Sequence, residues 1–265
     1  MYLDPIKKSL WKSILKKYIF PLLYNKIANA VLVPSTASKN FLESLGVHKE
    51  RIYISPYTVD YQLISKIAGN TNCENIRNAW QIPMNAKVVV FCGKFIPRKR
   101  PEDLIRAFAK ANIENSYLIM VGDGPLAEDL NGKVRELGIE DQVRFLGFVK
   151  YSKLPEVYVS SDILVHPAEW EPYGLPVNEA MVCGIPVIVS DRVGAGIDLV
   201  KEGVTGYRYP VRDTDALANI LKNILTDGLL IKKLGKAASE LIAKRSPEYN
   251  AEVTEKAIEY VLSKR

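Results

Sequence analysis

From residue 88 onward one theme repeats: a short β-branched run, a Gly or Pro turn, then an amphipathic segment of helix length. "KVVVFCG" is followed by "PEDLIRAFAKA", "SYLIMVG" by "PLAEDLNGKVRELG", "VRFLG" by "SKLPEVYVSS", "DILVHP" by "LPVNEAMVCG", and "PVIVS" by "GIDLVKEG". Strands alternating with helices in this way predict βαβ units, and hence an α/β fold with a Rossmann-like, doubly wound parallel sheet. The strands are almost purely apolar, which fits burial on both faces under two helical layers. Ligands in such sheets bind beyond the carboxyl ends of the strands. The turns after residues 92, 121, 146, 166 and 190 are therefore where functional residues are expected.

Before residue 57 the pattern thins to one strand, "AVLVPS", a helix, "STASKNFLESLG", with Ser35 as N-cap, and a second strand, "RIYIS". The stretch "PYTVDYQLISKIAGNTNCEN" reads as a polar connection. Two strands with their helices do not make a self-sufficient domain. At the far end, "SPEYNAEVTEKAIEYVLSK" is a terminal helix with Ser246 as N-cap and Pro247 at the first helical position.

Charge narrows the partners. The chain carries a formal net charge of +6, which favours an anionic partner: nucleic acid, membrane or a phosphorylated small molecule. Cys73, Cys92 and Cys183 lack metal-ligand or disulfide spacing, and Cys92 and Cys183, in apolar segments, read as buried thiols in a reducing compartment. No apolar run reaches the roughly 18 residues that span a bilayer, and no signal-peptide core is present. A cytoplasmic location is the expectation. In "IKKSLWKSILKKYIF", Ile6, Leu10, Ile14 and Tyr18 share a helical face with Lys8, Lys12 and Lys16 beside it. Two readings fit: an interfacial helix making peripheral contact with an anionic membrane through residues 6–20, or an ordinary packing helix.

Three turns carry chemistry. "FCGKFIPRKRPEDL" crowds Lys94, Arg98, Lys99 and Arg100 beyond a strand end, where an anion such as phosphate would neutralise them; a solvated basic loop balanced by Glu102 and Asp103 is the other reading. "VGDGPLA" places Gly122, Gly124 and Ala127 in a dinucleotide-type glycine turn. The strand after it lacks the acidic residue that holds an adenosine ribose, so the turn reads as the wall of a cleft rather than a nicotinamide or flavin site. "EWEPYGLPVNEA" places Glu171 in a loop, Gly174 and Pro176 at a helix start, and Glu179 in the expected first helical turn. Free backbone N–H groups near Gly174 and Leu175 suit an anion, and the two carboxylates suit sugar hydroxyls on either side of it. A nucleoside-diphosphate sugar has that layout. Glu179 as a dipole-stabilising acid, Glu171 as a solvated loop residue, and the pair as glycosidase acids are the alternatives left open.

At this point several motifs match in order. "EPYGLPVNEA" resembles the E-x7-E motif of the retaining group 1 glycosyltransferases with the GT-B fold. "GKFIPRKRP" is similar to their "GR(L)xxxKG" loop, and "VGDGP", "FLGFV", "HPAEWEPYG", "EAMVCGIPVIVSD" and "EGVTGY" follow in the family's order, over roughly residues 28 to 226. The resemblance implies that Glu171, Lys94 and Lys99 are catalytic. Glu171 would bind the transferred sugar, and Lys94 and Lys99 the diphosphate. Donor binding would fall to Glu179 at the ribose, to Gly174, Leu175, Gly93 and Gly122, and to the backbone of Phe148 and Val149 at the base. It implies metal-independent transfer with retention, no cofactor beyond the donor and no nucleic-acid partner. Two positions depart from the pattern: Lys94 stands where Arg is usual and Arg100 where Gly is usual. Asp213 and Asp215 form the only D-x-D, read as a helix N-cap. His166 and His48 read as structural or surface groups.

The resemblance also implies two Rossmann-like halves, most of the first of which this sequence does not contain. Residues 1–57 correspond to the last elements of an acceptor-side domain, 58–245 to the donor-binding domain, and 246–265 to a crossing helix. Three expectations follow: a donor-binding portion whose acceptor half is missing or is a separate polypeptide, a nucleotide-sugar binding module without catalysis, or a membrane- or protein-binding remnant.

Overall fold

The computed structural model describes residues 18–264. The chain forms two compact units, Val59–Ala243 and a smaller one of Met1–Thr58 with Lys244–Arg265. The Lys-rich segment of residues 6–17 lies outside the described residues. Among the described residues, no helix is long and apolar enough to cross a membrane.

In the smaller unit, β1 (Val31–Val33) pairs in parallel with β2 (Ile52–Ile54), Val31 opposite Ile52. The helix Thr36–Ser44 between them starts as expected, with Ser35 Oγ accepting the Ser38 N–H at 3.2 Å. Val33, Leu42, Val47 and Ile52 form the core. The helix Pro247–Leu262 is capped by Ser246, and Asn250 Nδ2 donates to the Pro56 carbonyl at 2.6 Å.

The larger unit is built on six strands: β3 (Lys87–Cys92), β4 (Ser116–Val121), β5 (Val143–Gly147), β6 (Ile163–His166), β7 (Val187–Ser190) and β8 (Gly206–Tyr209). All pair in parallel, in the order β5-β4-β3-β6-β7-β8. Period-2 alternation sends Val88, Val90 and Cys92 of β3 to one helical layer and Val89 and Phe91 to the other. Ile119 and Val121 against Leu118 and Met120 do the same in β4. This double burial is why the strands read as continuous apolar runs. The chain winds outward from β3 to β5, then returns to lay β6 on β3's other side, so the switch point that draws ligands lies between β3 and β6.

Two expectations change. The stretch after residue 57 is not a connection: it holds the helices Tyr61–Asn70 and Cys73–Ala79. Asp60 caps the first by accepting the Leu63 N–H at 2.9 Å, and Asn72 caps the second through the Asn75 N–H at 3.1 Å. The Asn and Thr that suggested a loop are capping residues. β8 was not expected at all. Its "GYRY" is short, and as an edge strand it pairs with β7 alone, so it lacks the apolar run that marks the inner strands.

Candidate functional site

The β3 turn and the β6 turn meet at the switch point. Lys99 Nζ forms an ion pair with Glu171 Oε2, and both side chains are largely buried. His166, the last residue of β6, places Nε2 3.5 Å from the same carboxylate oxygen, and Arg98 Nη1 lies 3.9 Å from it. Arg98 is itself held: it donates to the Trp170 carbonyl at 3.1 Å and stacks over the Trp170 ring. Gly174 adjoins the cluster, since a Cβ there would stand 3.4 Å from Glu171 Cγ. His166 was expected to be structural or on the surface. It is buried and faces Glu171, and neither ring nitrogen has another partner among the described residues. Burial holds its imidazole below the usual range, so it is neutral near pH 7. Burial alone would push the Glu171 carboxyl up, but the adjacent His166 and the Lys99 charge outweigh it and hold the group at about 2.

Glu171 therefore links stability to pH. Its folded pKa is depressed, so its contribution is complete above the unfolded value near ~4.3 and is lost as the pH falls toward about 2. The urea midpoint should fall with acidification across that window, and Glu171→Gln should flatten the fall. An identical slope in the variant would refute the assignment.

A second group surrounds a cavity of about 430 Å³ at the carboxyl ends of β3, β4 and β5. Gly93, Lys94, Gly122, Phe148 and Val149 line it, with Cys92, Val121, Asp123, Gly124 and Leu154. Phe148 is 80% exposed at the rim of this cavity. Gly122 explains the glycine turn. It sits at φ +136, and a Cβ would lie 1.9 Å from the Gly93 carbonyl. The tight approach of the two loops, rather than a nucleotide fingerprint, sets the glycine spacing.

Glu179 lies on the helix that follows the Glu171 loop. It is the fifth residue of the helix Leu175–Val182, so it lies in the second turn, not in the expected first one, and it is 5% exposed. A surface acid complementing the helix dipole is thereby ruled out. The Tyr158 hydroxyl donates to Glu179 Oε2 at 2.8 Å, and the Cys92 thiol at the cavity wall adjoins the same tyrosine. Burial raises the Glu179 carboxyl above its ordinary value, and the tyrosine hydrogen bond partly offsets the rise. Tyr158 was not singled out by its sequence, where it is one apolar position of an amphipathic helix. Gly174 caps that helix at φ +104, and the Gly174 and Leu175 N–H groups have no backbone acceptor among the described residues. Pro176 falls one position later than expected, second in the helix.

Arg100 does not add free charge beside the anion region. Its guanidinium forms a two-pronged pair with Asp103, both contacts at 2.7 Å, and lies 3.8 Å from Glu169. Its backbone is left-handed, φ +52, ψ +41, a region that favours glycine, which accounts physically for glycine as the usual residue there. Asp213 caps the helix Thr214–Leu225 through the Ala216 N–H, as its position suggested.

A family model described as Glycosyl transferases group 1 matches residues 72–241. The chain is 34% identical over 168 residues to N-acetyl-alpha-D-glucosaminyl L-malate synthase of Bacillus anthracis, covering 63% of this chain and 43% of that protein. It is 34% identical over 200 residues to D-inositol 3-phosphate glycosyltransferase of Corynebacterium glutamicum, covering 72% of this chain and 47% of the relative. It thus spans less than half the length of these relatives. Among solved structures, HepE of Anabaena in complex with UDP superposes with a TM-score of 0.81 at 25% identity, over 98% of this chain and 70% of that one. Sucrose-phosphate synthase of Thermosynechococcus elongatus gives 0.78 at 26% identity, over 100% and 65%.

Proposed function

Because this chain belongs to the group 1 glycosyl transferases, we propose that its larger unit binds a nucleoside-diphosphate sugar and donates the sugar, with retention and without a metal, to an acceptor held by a different domain. The observation that carries this reading is the cavity walled by Gly93, Lys94, Gly122, Phe148 and Val149 beside the Lys99–Glu171 pair. The cavity takes the nucleotide, with the base against Phe148 and Val149. Lys94, Lys99 and the free N–H groups at Gly174 and Leu175 take the diphosphate, and Glu179 takes ribose hydroxyls. Glu171 takes hydroxyls of the transferred sugar. As the bond to the diphosphate breaks, negative charge grows on the leaving oxygen, and fixed cations stabilise it without reorganising. HepE in complex with UDP supports the choice of first probe.

Calorimetric titration of the full chain with UDP, GDP and ADP, with and without magnesium, tests the reading. We expect magnesium-independent binding of one of them. Glu179→Ala should weaken it by about 1–3 kcal/mol, the range for hydrogen bonds to charged groups, and an unchanged affinity would remove Glu179 from the site. Residues 1–57 are read as elements of an acceptor-side domain and residues 246–265 as a crossing helix. Mixing the chain with an acceptor-domain polypeptide should then restore transfer. Binding without transfer in any such mixture would favour a non-catalytic nucleotide-sugar module.

A further inference from the structure

Tyr158 is among the largest fully buried side chains of the protein, yet its hydroxyl is aimed at a carboxylate rather than at backbone. It lies on the helix Leu154–Val159, whose other members pack Val157 and Leu154 against the sheet. A phenylalanine would fill the same apolar space. The hydroxyl donates to Oε2 of Glu179 at 2.8 Å and so engages one of the two carboxylate oxygens. Placing an acid and a phenol together at the bottom of a core is costly unless each serves the other or a ligand.

We propose that Tyr158 is a positioning residue for the donor: it occupies one oxygen of Glu179, fixes the carboxylate plane, and leaves the other oxygen for a ribose hydroxyl. This rests on the reading that Glu179 meets the nucleotide. The titratable groups facing the pair are few. Cys92 adjoins from β3, Cys183 from the end of Glu179's own helix, and Tyr151 from the turn before the helix Leu154–Val159. Burial pushes Cys92 up to about 11 and Cys183 up to about 12, so both thiols are neutral near pH 7. The Tyr158 hydrogen bond is the group that opposes burial at Glu179 and favours the carboxylate over the acid. Only the carboxylate can accept from a ribose hydroxyl at either oxygen.

The test is UDP affinity of the full chain between pH 8 and pH 5.5 in wild type, Y158F, E179Q and the double variant. The nucleotide's own ionisation cancels in the ratio of variant to wild type. For Y158F we expect a loss of about 5-fold at pH 8, the size of one hydrogen bond, growing further as the pH falls because Glu179 protonates at a higher pH. The double variant should show no acid-dependent extra loss over E179Q. A Y158F-to-wild-type ratio that is flat with pH would overturn the proposal, leaving Tyr158 a packing residue. E179Q with wild-type affinity would instead overturn the placement of Glu179, whatever Y158F does. Should Y158F not fold, carboxyl and ring 13C NMR of the wild-type protein decides. The Tyr158 ring carbon must shift as Glu179 titrates, and titration of Glu179 with no response at Tyr158 would sink the idea.

Discussion

Arg77→Ala is expected to lower the free energy of unfolding by about 3–5 kcal/mol, the range for removing one partner of a buried ion pair. Arg77 is buried on the helix Cys73–Ala79. Its Nε donates to the Ser160 carbonyl at 2.9 Å, its Nη1 to the Met84 and Ala86 carbonyls at 3.0 Å each, and its Nη2 to Asp162 at 3.1 Å. Asp162 in turn accepts the Val88 N–H at 2.7 Å. One guanidinium thus ties the helix to the amino ends of β3 and β6, and alanine would strand a carboxylate and three carbonyls at once. Lysine would restore little, because a single ammonium cannot span the fork. The network sits at the end of the sheet opposite the cavity, so nucleotide affinity at low temperature should be unaltered. Chemical denaturation of the variant checks the first claim. A loss under about 1 kcal/mol would mean the network is solvated rather than structural.

Lys99→Ala should weaken UDP binding by about 1.5–3 kcal/mol, roughly 10- to 150-fold, and leave uridine binding unchanged. Without ligand, Lys99 neutralises Glu171. A diphosphate entering beside it would share or take over that ammonium, while Arg98, 3.9 Å from Glu171, keeps the carboxylate from being abandoned. Titrations with the two ligands separate the outcomes. Equal losses for UDP and uridine would show that the variant has disturbed the cavity as a whole. No loss for either would mean that Lys99 serves only to hold Glu171.

These two lysine and arginine roles differ in how far they were readable. Lys99 stood in a basic cluster at a strand's carboxyl end, where function concentrates, so its type and position both pointed to an anion. Arg77 gave no such signal. It lies just past the Asn-rich stretch that suggested a loop, and its partners Ser160 and Asp162 are distant in sequence. The same holds within the site. Glu171, Glu179 and the glycine turn were marked by local pattern, whereas Tyr158 and His166 became visible only when the chain packed them against those carboxylates.

What the sequence determined by itself was the layer architecture and, with it, the turns where a site is to be sought. Strand-length apolar runs separated by helix-length amphipathic segments leave a doubly wound parallel sheet as the economical way to bury both faces, and such a sheet assigns function to its carboxyl-end turns. Tertiary structure alone decided the strand order, the edge strand β8, the two capped helices after residue 58, and the protonation chemistry of the acids. Glu171 and Glu179 are the same residue type with seven residues between them, yet one is held at about 2 and the other is raised. Charge and hydrogen-bond environment fall off over a few ångströms, so they are set by neighbours in space, and sequence distance carries no information about which cation or hydroxyl arrives there.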